Sequence, residues 1–356
     1  METLRQKIGQ LILIGCGGES LTNNERLLIE EYQFSGVILF GKNFGAAAQL
    51  VSLSRSIWQS FDAVPPFIAI DQEGGRVHRL AAPFSRFPAA ALIGSRNDLE
   101  LAYRLGNATA AELSLAGINL NFAPVLDVQS NPNSPIIGDR AFAAEPQRVI
   151  AVATVWTKGL RDGGIIPCGK HFPGHGDTDK DSHLELPLVS KSLGELQQTE
   201  LPPFVHACRN GIEALMTAHV VYPALDPRLP ATLSGAIVTG LLRHQLGYDG
   251  VVFSDDLEMQ AISNHYEVEE ASALAIGAGV DILLFGHAID KAVLAFDFLC
   301  AEAERDAAVR ARIENSYRRV TELKRHYLKS FTGVDEHEIV ASLERLNHRE
   351  LLNRVV

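Results

Sequence analysis

The run KHFPGHGDTDKDSH, from Lys170 to His183, concentrates histidines, aspartates and glycines more densely than any other stretch of this 356-residue sequence. Burying it would require each charge to be paired or neutralised at a cost of several kcal/mol. It therefore reads either as a solvated loop or as an active site. His171 and His175 are four apart, but Pro173 and Gly174 between them break a helix, so chelation from adjacent helical turns fails. A loop could still wrap His171, His175, Asp177 and His183 around zinc. Asp181 and His183 are two apart, so in extended backbone they point the same way. The carboxylate can then orient the imidazole and raise its basicity, which makes a proton-transfer pair. A solvent-exposed histidine is the plainer alternative. Ser182 points away from both and is a poor nucleophile candidate.

Other charged residues stand where short apolar runs end. The run from Pro66 leads into DQEGGRVHR, with Asp71, Glu73, Arg76 and Arg79. The run from Gly117 ends at Asp127, ahead of a loop containing Arg140. Lys170 and His171, then His219, then Asp255 and Asp256 close the runs that begin at Gly164, Ala214 and Gly250. Glu73, Asp127 and Asp256 are expected to cap helices or pair with nearby arginines. Asp255 directly follows the apolar VVFS, so a rigid element should hold its carboxylate as a nucleophile requires.

Eight such runs, starting at Leu11, Gly36, Pro66, Gly117, Gly164, Ala214, Gly250 and Asp281, alternate with stretches of helical periodicity. Asn23 or Asn24 is the expected cap of the first long helix and Asn97 of a later one, while Gly279 should end the helix before the last strand. Alternation of this kind implies parallel strands with crossover helices, and eight units imply a (β/α)8 TIM-type barrel. The expected organisation is a single domain, with the catalytic barrel over 1–305 and helices over 306–356 packed on it. An open doubly wound sheet is the runner-up, but GCGGES after the first strand lacks the Gly-x-Gly-x-x-Gly spacing, and no phosphate-binding Gly-x-x-x-x-Gly-Lys-Ser/Thr loop occurs.

A formal net charge of −11 argues against nucleic acid as a partner. The four cysteines (Cys16, Cys168, Cys208, Cys300) have neither zinc-knuckle nor disulfide-framework spacing, which fits a reducing cytoplasm. LIGC, from Leu13, resembles a lipoprotein cleavage site, yet the apolar stretch before it is short and interrupted by Gln10, so a buried strand is the simpler reading. No apolar run approaches the roughly twenty residues that span a bilayer, so no membrane partner is expected.

With KHFPGHGDTDKDSH and FSDDLEM both present, the sequence resembles glycoside hydrolase family 3, specifically its NagZ-type β-N-acetylhexosaminidases. QKIGQLILIG, GVILF, IAIDQEGGRVHRL, GINLNFAPVLDV and VVFSDDLEM follow in the family's order. The resemblance implies a retaining exo-β-N-acetylglucosaminidase acting through a covalent glycosyl-enzyme intermediate. Asp255 would be the nucleophile, His183 the acid/base and Asp181 the residue that orients it. Asp71, Arg79, Arg140, Lys170 and His171 would bind the N-acetylglucosamine. It further implies a cytoplasmic, monomeric enzyme of peptidoglycan turnover, cleaving N-acetylglucosaminyl-1,6-anhydro-muramyl peptides without metal or other cofactor. Two rival readings are a zinc hydrolase built on His171, His175 and His183, and a non-catalytic sugar-binding barrel.

Overall fold

In the computed structural model, which describes residues 2–61, 64–178 and 186–355, each of the eight apolar runs supplies one strand of a closed parallel barrel. The strands are β1 (Ile12–Gly15), β2 (Gly36–Leu39), β3 (Phe67–Ile70), β4 (Leu120–Asn121), β5 (Ile166–Phe172), β6 (Ala214–Thr217), β9 (Val251–Asp256) and β10 (Ile282–Phe285). Between β6 and β9, two further strands, β7 (Val221–Tyr222) and β8 (Asp226–Pro230), form an antiparallel hairpin outside the barrel. The expected (β/α)8 barrel is therefore the architecture, with residues 13–15 of LIGC in its first strand and Cys16 buried just beyond it. All four cysteines are free thiols.

The strands are apolar on both faces because each face is covered. Leu13, Ile38, Phe67, Phe122, Cys168 and Phe253 fill the barrel interior, while Ile12, Ile14, Val37, Ile68 and Val252 pack outward against helices. Phe253 meets Phe67 and Phe122 edge-on, with ring centroids 6.0 and 5.3 Å away. Each such fully buried ring is worth about 1.5–3 kcal/mol.

Helix starts differ from expectation by one residue. Thr22 caps Asn23–Tyr32 through a capping box with Glu25, displacing Asn23 and Asn24 into the first turn. Asp98 rather than Asn97 caps Leu99–Leu115, accepting from the Leu101 amide at 2.9 Å. Gly279 ends Val268–Ala278 as expected, with φ of 113°.

The long helix Ala307–Tyr327 closes the N-terminal end of the barrel. Val320 and Leu328, just past its last turn, join the interior cluster. Fully buried Lys324 donates to Gln10 Oε1 and to the Ser35 carbonyl, both at 2.6 Å, and its ammonium lies 4.7 Å from the Phe67 ring centre. Burial pushes this lysine well below its ordinary pKa. The unfolded chain then binds one more proton than the folded one at any pH between the folded value and the unfolded value of about 10.4. Stability should rise with pH across that window. In urea titrations at several pH values up to about 10, the wild type is expected to gain stability relative to Lys324→Met as the pH rises; a difference that does not change with pH would mean that the ammonium is not desolvated.

Candidate active site

With its N-terminal end closed, the barrel opens at the strand C-termini onto a cavity of about 370 Å³. Ile38, Phe122, Met216 and Leu284 give it an apolar floor. Asp71, Glu73, Arg79, Arg140, Lys170, His171, His175, Asp255 and Asp256 supply its polar walls. Six of the eight site residues expected from the sequence are thus together: Asp71, Arg79, Arg140, Lys170, His171 and Asp255. The other two, Asp181 and His183, lie outside the described residues.

Ladder irregularities bring these side chains round to the mouth. Between Phe253 and Asp256, β9 advances three residues while β10 advances two, from Ile282 to Leu284. β5 does the same against β6, from Gly169 to Phe172. In regular strands consecutive side chains face opposite sides, and an extra residue breaks that alternation. Lys170 with His171, and Asp255 with Asp256, accordingly line the same cavity. The glycines of HFPGHG have a separate task. Gly174 has φ of 132° and passes against Glu200, and a Cβ on Gly176 would lie 1.6 Å from the Val128 carbonyl oxygen. Side chains at either position would push this segment off the barrel rim.

One ion network spans three of the walls. Lys170 Nζ lies 2.6 Å from Asp71 Oδ1 and 2.7 Å from Glu73 Oε1. Arg140 grips Glu73 in a fork, with Nε and Nη2 each at 2.9 Å. Arg79 stands 3.6 Å from the other oxygen of Asp71. Burial alone would raise the Glu73 pKa, but Arg140 and Lys170 outweigh it and hold this carboxyl well below the usual carboxylate range. Glu73 is thus an ion-pair partner, as the plain reading of a lone carboxylate has it.

His171 is held from both sides. Its Nδ1 lies 2.7 Å from Asp127 Oδ2, and its Nε2 lies 3.3 Å from Arg140 Nη2. A guanidinium can only donate, so Nε2 is the acceptor and Nδ1 carries the hydrogen that Asp127 accepts. Asp127 also accepts from the main-chain N–H of His171 and of His175, at 3.1 and 2.8 Å. It neither caps a helix nor pairs with an arginine, because its lone pairs go to the KHFPGH segment. Burial pushes His175 down to about 4, and its Nδ1 lies 2.8 Å from Thr178 Oγ1. Binding zinc through His171 Nε2 would displace the Arg140 guanidinium from it. Among the described residues no group of three or more His, Cys, Asp or Glu side chains is arranged to hold a metal.

Asp255 is ionised. Burial acts to raise its pKa, but the His219 imidazole, the Asp256 N–H at 2.8 Å from Oδ1, and Lys170 bring it below the ordinary value. A carboxylate on a strand end, facing a cavity rimmed with cationic groups, meets the requirements of an oxygen nucleophile.

Several wall residues carry no signal in isolation. Phe40, after β2, stacks on His287, after β10, with ring centroids 5.0 Å apart at the cavity edge. Glu258 and Met259 follow Asp255 in the FSDDLEM motif and also line the cavity. The motif marks their neighbourhood, whereas Phe40 and His287 come together only when β1 and its neighbours close the barrel.

The chain is similar to known proteins over most of its length. The model of the glycosyl hydrolase family 3 N terminal domain matches residues 3–323. A beta-hexosaminidase of Alkalilimnicola ehrlichii is 40% identical over 279 residues, covering 77% of this chain and 79% of that protein. Among solved structures, a glycoside hydrolase family 3 beta-N-acetylglucosaminidase from a Paenibacillus species superposes with a TM-score of 0.89 at 40% identity, covering 97% of this chain and 68% of that one. NagZ from Neisseria gonorrhoeae, solved in complex with N-trifluoroacetyl-D-glucosamine, gives a TM-score of 0.75 at 32% identity over 94% of this chain and 97% of that one. On the extent of the family match and the shared barrel, this chain belongs to glycosyl hydrolase family 3.

Proposed function

We propose that this protein is a retaining exo-β-N-acetylglucosaminidase that releases terminal β-linked N-acetylglucosamine from peptidoglycan turnover fragments in the cytoplasm. That it is a glycoside hydrolase of the β-N-acetylhexosaminidase type rests on the family and on the relatives named above. The observation that carries the finer reading is the single cavity in which ionised Asp255 faces Asp71, Arg79, Arg140, Lys170 and His171. No helix among the described residues is long and apolar enough to cross a membrane.

In this reading Asp255 attacks the anomeric carbon to form a glycosyl ester, while the departing oxygen takes a proton from His183. Water, deprotonated by His183, then breaks the ester, and Asp181 keeps the imidazole oriented. Asp71 accepts hydrogen bonds from the sugar hydroxyls, and Arg79, Arg140 and Lys170 donate to them. Retaining glycosidases ordinarily pair two carboxyl groups. An imidazole is neutral when it acts as base, so it puts no second negative charge beside Asp255, which suits an acidic muramyl leaving group.

The test is to hydrolyse 4-nitrophenyl N-acetyl-β-glucosaminide and an N-acetylglucosaminyl-anhydromuramyl peptide with EDTA present, following the first-formed sugar by proton NMR. Both should be cleaved with the β-anomer appearing first; an α-anomer, or arrest by EDTA, would overturn the mechanism. His183→Ala should slow the peptide substrate by about 10²–10⁴-fold and an activated aryl glycoside far less, because a good leaving group needs little protonation. Equal losses on both would remove His183 as the acid.

A further inference from the structure

Asp256, the residue after the proposed nucleophile, is held by one oxygen only. Its Oδ1 lies 3.0 Å from the Glu258 N–H and 3.4 Å from the Gly286 N–H. Its Oδ2 sits above Gly286, where an added Cβ would come within 2.6 Å, so this glycine is what leaves it room. The carboxyl lines the same cavity as Asp255. The charged and titratable groups around it are mainly acidic. Asp255 adjoins it on β9, and Glu258 faces it from the following turn. Glu258 is itself fixed by the N–H groups of His287 and Ala288 at 2.6 and 3.0 Å, with Lys291 3.5 Å away on its far oxygen. From the loop after β10, His287 Nε2 stands 3.7 Å from Oδ2, but that side chain is 57% exposed and stacked on Phe40. From the loop after β6, His219 Nε2 lies 3.0 Å from the main-chain carbonyl of Asp256, and its Nδ1 lies 2.8 Å from Thr232 Oγ1. Ionising Asp256 would thus place a third carboxylate in a partly dry wall that already holds two.

We propose that Asp256 works as a neutral carboxylic acid whose Oδ2–H donates a hydrogen bond to an acceptor oxygen of the sugar that Asp255 attacks. Asp255 and Asp256 then divide the labour by protonation state, one an ionised attacker and the other a binding donor, although they are adjacent in sequence. Burial and the two flanking carboxylates keep Asp256 protonated up to about pH 7. Above that it can only accept, and the sugar oxygen loses its donor. The inference rests on the reading of the site given above and adds a specificity-determining residue to it.

The experiment is a pH profile of kcat/KM from 5 to 9 with 2,4-dinitrophenyl N-acetyl-β-glucosaminide, whose leaving group needs little help from an acid, so that His183 drops out of this parameter. The wild type should fall by about tenfold around an apparent value near 7 and level off above it. Asp256→Asn keeps an oxygen for the two N–H groups and replaces O–H by N–H. It should stay within about threefold of wild type at pH 6 and lose the alkaline limb, whereas Asp256→Ala should fall about tenfold there. Glu258→Gln, which keeps an oxygen for the His287 and Ala288 amides, should move the wild-type limb to lower pH. A limb that survives in Asp256→Asn, a limb that Glu258→Gln leaves in place, or a loss beyond about a hundredfold in folded Asp256→Asn at pH 6 would each overturn the inference. If a 2-fluoro-glycoside still labels Asp255 in any of those outcomes, only the role of Asp256 falls; if it labels another residue, the underlying reading of the site falls instead.

Discussion

Asp255→Ala is expected to lower kcat/KM on every N-acetyl-β-glucosaminide by about 10⁴-fold or more, equivalent to at least about 5.4 kcal/mol of transition-state stabilisation, while the protein stays folded. The size follows from what is removed. Without the carboxylate no glycosyl ester can form, and the remaining groups can only bind and polarise the sugar. The fold should tolerate the change because Asp255 points into a solvent-connected cavity and accepts one main-chain hydrogen bond, from Asp256. Circular dichroism and a thermal melt would check folding, and stopped assays with 4-nitrophenyl N-acetyl-β-glucosaminide would check rate. A mechanism-based 2-fluoro-glycoside should attach to Asp255 in the wild type. Attachment at Glu73 or Asp256, or a variant that keeps more than a hundredth of the activity, would transfer the nucleophilic role elsewhere.

The second large effect concerns stability together with activity. Arg140→Ala should cost about 3–5 kcal/mol in urea unfolding, because it strands Glu73 in a nearly dry site with Lys170 as its remaining cationic partner. Lys170 is shared with Asp71, so it cannot compensate fully. The same change removes the donor to His171 Nε2 and should abolish most turnover. Replacing both Arg140 and Glu73 by methionine should return most of the stability, since a buried pair often gains little over apolar residues of similar volume, but none of the activity. A loss below about 1 kcal/mol for the single variant would show that water reaches Glu73 and screens it.

The barrel was legible because both faces of each strand are covered, so β1, β2, β3, β9 and β10 appear as short apolar runs, with β3 and β9 ending directly in charge. Less visible was how much of each run enters the ladder. GINLNFAPVLDV forms regular strand only at Leu120 and Asn121; past Pro124, which lacks an N–H, its pairing with β5 continues as an isolated bridge between Val125 and Lys170. ALMTAHVVY reads as one strand but divides after Thr217, and Val221–Tyr222 pairs with Asp226–Pro230 instead. Nothing in the apolar pattern distinguishes the halves, because both are buried.

Site residues at strand ends were readable for the same reason as the strands. The partners that give those residues their properties were not, because they lie far apart along the chain. Arg140 reaches Glu73 across 67 residues and His171 finds Asp127 across 44, and no local spacing encodes either distance. The Asp181–His183 pair is an expectation drawn from its two-residue spacing and the motif around it, and both residues lie outside the described ones.

The added residues in β5 and β9 separate two properties that strand geometry normally ties together. In an ordinary strand, a change that swings a mouth residue outward also turns the core residues beneath it. Here the ladder slips only at the rim, above Cys168 and Phe253, so the hydrophobic filling keeps its phase whatever happens at the tip. Insertions or deletions at these two sites would re-aim the chemistry while the body of the barrel stays intact, giving the scaffold a place to acquire new reactions without refolding its centre.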